Sequence, residues 1–306
     1  MNLFLAKAFF IVIAFALATA AFGQNPADTG RGQSTTHQPD QSPDPMKGFN
    51  AYENFRGMIN HSGTLLKLDS TLGYDFNRYF GVFAGVPLYF ASDSSNTTGQ
   101  TRIHDTGAGD LYFGLDAYAP NRYVDYSSTL TISAPTGSVR KGFSPGEATV
   151  DWNNRFRHKI GRLAPFVAAG VGNTVPDSEL VTRDFISLGN VSHFEEGVEL
   201  QIARPVYLGS SAYQIVPFGK QQVFNRFDTA TPRDDGPGKV APPSRGPAAI
   251  GNDLTKEHGF DAWFGFEPTR IVRVELGYSR SVTFALNSFS FNLGLNVGKL
   301  FRSQSH

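Results

Sequence analysis

The chain contains no cysteine in 306 residues, so neither disulfides nor thiolate metal sites contribute to its stability or chemistry. Neither sign of charge is in excess, with 27 Lys and Arg against 27 Asp and Glu. The basic stripe that attracts nucleic acid is absent, which removes nucleic acid as a partner. Long apolar runs are equally scarce. Only one stretch, next to the amino terminus, approaches the roughly 18 consecutive apolar residues of a spanning helix. His104, His158 and His258 show no metal-ligand spacing, and no Gly-Lys-Ser/Thr ending follows a glycine-rich turn. These absences leave no implied metal or cofactor.

The single apolar run has the form of an export signal. Lys7 supplies a positive start, Ala8 to Ala18 an apolar centre, and Ala21-Phe22-Gly23 small residues at the cleavage-determining positions. This predicts a signal peptide over 1–23, cut before Gln24. Gln24 to Pro45 is rich in Pro, Gln, Ser, Thr and Asp and holds no aliphatic residue larger than alanine. Such a stretch buries too little apolar surface to offset its ordering entropy, so 24–46 reads as a disordered spacer.

Beyond the spacer the chain is dominated by a two-residue alternation. It is clearest in the hairpin Gly107 to Gly137. Leu111, Phe113, Leu115 and Ala117 alternate there with Asp110, Tyr112, Gly114, Asp116 and Tyr118. After the turn Ala119-Pro120-Asn121-Arg122, the residues Tyr126, Ser128, Leu130, Ile132 and Ala134 alternate with Asp125, Ser127, Thr129, Thr131 and Ser133. Strand side chains repeat every two residues, and a helix of period 3.6 would scatter both sets. The pattern recurs in Leu66 to Phe76, Phe80 to Phe90, Val150 to Arg157, Glu195 to Ile202, Phe260 to Glu267, Val272 to Ser279 and Ser288 to Phe301. It is weaker in Val206 to Phe218. Phe166 to Gly172 is small and apolar on both faces, and its orientation does not follow from the pattern.

Short and long connections take turns. The short ones are at Asn77-Arg78, Ala119 to Arg122, Lys159 to Arg162, Arg204-Pro205 and Pro268-Thr269. The longer ones run from Ser92 to Asp105, Pro135 to Glu147, Asn173 to Ile186 and Asn225 to Lys256; Val282 to Leu286 is a short exception. Outer-membrane barrels are built this way, with short periplasmic turns and long external loops. Eleven arms are plain between Thr64 and Phe301, and the first runs towards a short turn. A twelfth, upward strand near Phe49 to Asn60 is needed to start the chain in the periplasm. The expected fold is all-β: an antiparallel transmembrane up-and-down barrel of about twelve strands (ten to fourteen allowed) over 47–301, with a tail over 302–306. A soluble sandwich is the competing fold, but its strands are usually nearer five or six residues than the ten or more seen here.

The hairpin also carries a resemblance. Gly107-Ala108-Gly109-Asp110-Leu111, an alternating strand, a short turn, and Leu130-Thr131-Ile132-Ser133-Ala134-Pro135-Thr136-Gly137 resemble the outer-membrane family associated with meta-pathway phenol degradation. Gly85-Val86-Pro87-Leu88-Tyr89 resembles that family's preceding strand. The resemblance extends over roughly Phe55 to Phe301. It implies an outer-membrane barrel that passes small molecules, aromatic or hydrophobic ones included, and brings no catalytic residues. Chains of that family often end on an aromatic residue, whereas here Arg302 to His306 follow Phe301.

Lys67, Asp69, Asp110, Asp116, Asp151, Arg155, Arg157, Glu199, Arg273 and Glu275 share the face opposite the apolar one and are the candidate lumen-lining residues. Acidic groups outnumber basic ones on that face, which mildly favours cations. Twelve strands lie between filled eight-strand barrels and open channels of sixteen or more. A narrow or gated channel for small molecules is therefore expected. The alternative is a non-conducting structural or binding barrel whose opposite charges fill the interior. A third reading, a lipid-modifying hydrolase, meets a geometric obstacle. His61-Ser62 and Ser192-His193 are adjacent pairs, and adjacent strand residues point to opposite faces. The chain is thus expected to be a non-enzymatic protein of the bacterial outer membrane, with the lipid bilayer, the barrel-assembly machinery and a small solute as partners. Asn225 to Lys256, the longest loop, with Pro232, Pro237, Pro242, Pro243 and Pro247 and no apolar period, is expected to be a mobile external loop rather than a folded plug, and is the candidate if anything gates the pore.

Overall fold

The computed structural model describes residues 48–93, 104–121, 123–178, 180–227, 256–269 and 271–298. The leader, the spacer, the tail and most of the segment Asn225 to Lys256 lie outside the described residues. The described chain is built of β1 (Gly48–Ile59), β2 (Gly63–Asp75), β3 (Phe80–Asp93), β4 (His104–Ala108), β5 (Leu111–Ala119), β6 (Asp125–Ala134) and β7 (Thr149–Arg157). It continues as β8 (Leu163–Gly172), β9 (Phe185–Leu188), β10 (Val191–Ala203), β11 (Val206–Pro217), β12 (Gln222–Asn225), β13 (Glu257–Phe266), β14 (Val272–Ser281) and β15 (Leu286–Asn296). One 3-10 turn, Val139–Lys141, interrupts the loop after β6.

Thirteen of these strands form one sheet in which β2 also pairs with β3, so the sheet closes on itself. Every pairing is antiparallel, and the seam between the chain ends is made by β1 and β15, from Tyr52↔Asn296 to Ile59↔Phe289. β4 and β5 are one stave broken by a bulge. Leu88 faces Ala108 and Gly85 faces Tyr112, so Gly109, Asp110 and Leu111 stand opposite only Val86 and Pro87. Counting that pair once reduces the thirteen strands to a closed twelve-strand barrel, the number the parity argument required. A closed antiparallel barrel has no unpaired edge.

The alternation follows the wall as read from the sequence. Phe80, Phe113, Leu115, Ile132, Trp152, Leu276 and Phe289 stand exposed on the outer face, while Lys67, Asp69, Asp116, Asp151, Asn153 and Glu275 are buried on the inner one. β8 acquires its orientation from its neighbours: Ala164, Phe166 and Ala168 are inward and Leu163, Val167 and Val171 outward. The abundant glycine also finds a reason. Tyr112 is paired with Gly85, Phe83 with Gly114, Phe166 with Gly197, Trp263 with Gly209 and Tyr207 with Gly265. In each pair a Cβ on the glycine would meet the ring within 2.5 Å, so each ring lies flat across a strand that has no side chain there.

The outer face has polar exceptions. Glu53 points outward in the middle of β1 and accepts a 2.7 Å hydrogen bond from Ser70 of β2. Trp152 donates through Nε1 to Ser128 at 2.9 Å, and Tyr126 to Asn154 at 2.7 Å. In each case the two outer polar groups satisfy one another across a strand boundary, as an apolar surrounding requires.

Candidate functional site

The interior of the barrel is the candidate site, and a segment of the chain occupies it. The connection from β8 to β10 does not extend away from the barrel, as the alternation of short and long connections implied. Residues 174–178 and 180–184 fold back inside, and Phe185–Leu188 then pairs with Gln222–Asn225 as a separate two-stranded ribbon. The inward segment is tied to the wall by charge. Lys67 of β2 lies 3.3 Å from Asp177 and 3.3 Å from Asp69. Arg56 of β1 donates to the Ser178 carbonyl at 3.3 Å, and Arg183 pairs with Glu257 of β13 at 2.7 Å. Arg226, which follows β12, also turns inward, to Asp177 at 3.4 Å and the Arg183 carbonyl at 2.5 Å. Its guanidinium stacks 4.6 Å over the Tyr89 ring.

Apolar contacts complete the anchorage. Leu180 packs with Phe166, Tyr207 and Trp263, while Val181 touches both that cluster and the one formed by Met58, Leu65, Tyr89, Ala91, Phe143 and Phe227. Val175 packs with Val191 and Ile215. β2 and β8 stand on nearly opposite sides of the ring of strands, so one short segment bridges the bore. Within the segment the turn is held locally. The Ser178 N–H donates to the Val181 carbonyl, the Val181 N–H to the Ser178 hydroxyl, and the Arg183 N–H to the Asp177 carboxylate, each at 3.0 Å. On the other side of the bore, Phe143 from the loop after β6 stacks on Tyr89, with centroids 5.2 Å apart.

Taken residue by residue, the charged positions read from the sequence sit on the buried inner face in separate small networks. Lys67 and Asp69 belong to the anchorage just described, and Asp69 also accepts the Tyr112 hydroxyl at 2.7 Å. Asp116 accepts from Thr129 at 2.7 Å, and Asp151 lies 2.9 Å from His193. Arg155 lies 3.6 Å above the Phe166 ring, and Arg157 pairs with Glu199. Arg273 pairs with Glu275 at 3.1 Å and, at 3.3 Å, with Glu267 in the short turn after β13; Tyr207 bridges the first pair. Burial holds the Glu267 carboxyl above its usual range. Asn292 donates to Glu275 at 2.8 Å, so this inward position belongs to the same network.

Asp110 has a different job. Its carboxylate accepts the Gly137 N–H at 2.8 Å, and Thr136 accepts the Leu111 N–H at 2.8 Å. The GAGD and PTG elements are thus two halves of one clasp that joins the bulge to the loop after β6. Asp110 ties loop to wall, a more specific role than lining the bore.

Sequence reasoning missed the inward cations. Arg56, Arg183 and Arg226 are buried or nearly so, and Arg183 and Arg226 pair with Glu257 and Asp177, acids equally missing from the sequence reading of the inner face. Asn225 to Lys256, the candidate gate of the sequence reading, lies mostly outside the described residues; of its described part, Arg226 and Phe227 serve the anchorage of the inserted segment. A signal was present in the inward apolar residues Met58, Leu65, Tyr89, Ala91, Val191 and Ile215. A water-filled lumen has no use for them, whereas a folded-in segment does.

Among the described residues, cavities lie beside the inserted segment, of which one large and one small are well defined. The larger, about 370 Å³, lies under the two short connections after β1 and β14 and is bounded by Met58, Val181, Arg183, Phe185, Glu257, Asp261 and Phe284, among others. The smaller, about 90 Å³, lies between Lys67, Tyr112, Thr131, Asp177 and Arg226. Ser192 and His193 point to opposite faces of β10, and His61 and Ser62 occupy the turn after β1. Among the described residues no group of three or more His, Asp or Glu is arranged to hold a metal ion.

A closed antiparallel barrel of this size with a charged inner face and an apolar outer belt has the architecture of outer-membrane channels. The crystal structure of an outer-membrane channel from Pseudomonas putida F1 is similar to it at 10% identity, covering 85% of this chain and 100% of that one, with a TM-score of 0.53. The KdgM porin in complex with disordered oligogalacturonate is similar at 6% identity, over 80% of this chain and 98% of that one, with a TM-score of 0.47. The NanC porin is similar at 8% identity over 80% and 98%, with a TM-score of 0.44. No family model matches the chain, and comparison with curated proteins returns no match. At these identities the likeness speaks for the fold: the chain is an outer-membrane-type β-barrel.

Proposed function

We propose that this chain is a gated channel of the bacterial outer membrane for small molecules, held shut by its own residues 174–184. It is exported through the leader 1–23, followed by the spacer 24–46, folded by the barrel-assembly machinery over 47–301, and leaves 302–306 as a tail. The short turns then face the periplasm, as do both ends of the barrel. The observation that carries this reading is the anchorage of the inserted segment. It is fixed to the wall by a few discrete ion pairs, Lys67–Asp177, Arg226–Asp177 and Arg183–Glu257, beside small apolar contacts at Val175, Leu180 and Val181, so that losing one charge undoes a large share of what holds it. The inner-face groups Lys67, Asp69, Asp116, Asp151, Arg155, Arg157, Glu199, Arg273 and Glu275 would line the path once the segment moves. The likeness of Gly107 to Leu111 and Leu130 to Gly137 to the phenol-degradation barrel family supports small solutes with hydrophobic or aromatic bodies, handled without covalent chemistry.

A second reading, a permanently filled structural barrel, is favoured by the packing of Met58, Leu65, Tyr89, Ala91, Phe143 and Phe227 at the long-loop end. Planar-bilayer recording separates the two. The unaltered chain should show low or intermittent conductance. Replacing 174–184 by a Gly-Ser linker should give a steadily open channel, while deleting 229–251 should change little. A barrel that stays silent after the 174–184 replacement, although it fractionates with the outer membrane and shows heat-dependent gel migration, would establish the filled reading instead.

A further inference from the structure

The larger cavity has a chemical character that the gating role of the inserted segment does not use. Three carboxylates border it, Asp184, Glu257 and Asp261, against one guanidinium, Arg183. That guanidinium is already committed to Glu257, which also accepts the Tyr213 hydroxyl at 3.0 Å. Asp261 is 4% exposed; Ser279 donates to its carboxylate, while its Oδ1 has no hydrogen-bond partner. A buried carboxylate oxygen without a donor is costly unless it takes up a proton or gains a donor, and an ammonium group from outside would supply both the hydrogen bond and the opposite charge. Beside Asp261, the hydroxyls of Ser279, Ser281 and Ser288 face the same space and can accept further N–H bonds. The opposite side is apolar, with Met58, Val181, Phe185, Phe284 and Leu286.

We propose that this cavity is a binding site for a small organic cation: a primary ammonium held by Asp261 and the serine hydroxyls, with a compact apolar or aromatic body against Phe185 and Phe284. Its volume, about 370 Å³, suits a small ligand. The topology provides access. The connections after β1 and β14 are the two short ones at the long-loop end, and β1, β2, β14 and β15 are neighbours in the wall. They form a low rim directly above the cavity, where Phe284 is 45% exposed. Carboxylate solutes are disfavoured by the three acids, and a neutral alcohol can donate only one uncharged hydrogen bond to Asp261, weaker than the charge-assisted bond of an ammonium. The site rests on the channel reading only for its biological sense, since it would be the first station of a permeating amine.

Calorimetric titration of the full, detergent-solubilised chain with benzylamine, benzyl alcohol and benzoate at neutral pH tests it. Benzylamine should bind, benzyl alcohol about tenfold or more weakly, and benzoate not at all. In Asp261→Asn, benzylamine affinity should fall to about that of the alcohol. The three-probe order on the unaltered chain decides the matter even if the variant does not assemble. Equal binding of amine and alcohol, tighter binding of benzoate, or no binding of benzylamine would each overturn the assignment. Conductance of the 174–184 replacement is recorded in parallel: no amine binding by the unaltered chain while the replacement conducts sinks the cavity alone, whereas amine binding by the unaltered chain while the replacement stays silent sinks the channel reading alone.

Discussion

Asp177 is the residue on which the inserted segment turns. It sits between Lys67 and Arg226 and accepts the Arg183 N–H, so one carboxylate neutralises two buried cations from different parts of the chain. Removing one partner of a buried ion pair typically costs about 3–5 kcal/mol, because the other charge stays behind in a dry site. Asp177→Asn keeps the shape and removes the charge, and Arg226 then has no carboxylate among the ion pairs described. The expected outcome is release of the segment: higher open probability in bilayer recordings and faster proteolysis within 174–184. The wall should be untouched, so the heat-dependent migration of the barrel should stay as it is. Buried pairs are little screened by salt, so raising ionic strength should not reproduce the effect of the substitution.

The clasp between the β4–β5 bulge and the loop after β6 shows why a short motif can be legible without being a binding site. Gly109 and Gly137 approach so closely that a Cβ on Gly137 would lie 2.7 Å from the Gly109 carbonyl carbon. Asp110 then closes the clasp through the Gly137 N–H. Gly137→Ala therefore forces backbone apart, a strain of about 1–3 kcal/mol, and should lower the temperature at which the folded band converts to the unfolded one on gels. Gly146→Ala, in the same loop, would meet only the flexible Val139 side chain at 3.0 Å, although its φ of 78° adds strain of its own. The bulge itself leaves no mark on the alternation: the pattern places Asp110 on a face of β5, yet the register steps by one residue immediately before that strand.

For the whole molecule, the closed ring of strands makes the two faces of each stave physically different solvents. Single cysteines are easily read in a chain that has none of its own. Leu130→Cys and Leu293→Cys should react with a lipid-soluble maleimide and resist a water-soluble one. Thr131→Cys, beside the smaller cavity, should react only with the water-soluble reagent, and faster once 174–184 is replaced. Arginine at Leu130 or Leu293 should cost about 2–4 kcal/mol if that position lies near the bilayer midplane, and impair assembly.

The barrel was legible because alternation is a local property: whichever strands pair, Leu111, Phe113 and Leu115 leave on one side and Asp110, Tyr112 and Asp116 on the other. Connection lengths then ordered the strands, and parity supplied β1, whose own alternation is poor. Orientation was not legible where both faces are small, as in β8, because only the ring of Phe166 against Gly197 and Arg155 decides it. Nor was the filling of the bore. Residues 174–184 carry no periodic signal, and their charges find partners far along the chain, as Arg183 does at Glu257 and Asp177 at Lys67 and Arg226. The wall follows from the two-residue period alone, since that period acts through nearest neighbours. Which loop turns inward depends instead on Lys67, Arg56, Glu257 and Arg226 converging on it from separate strands and loops, a choice made by distant contacts.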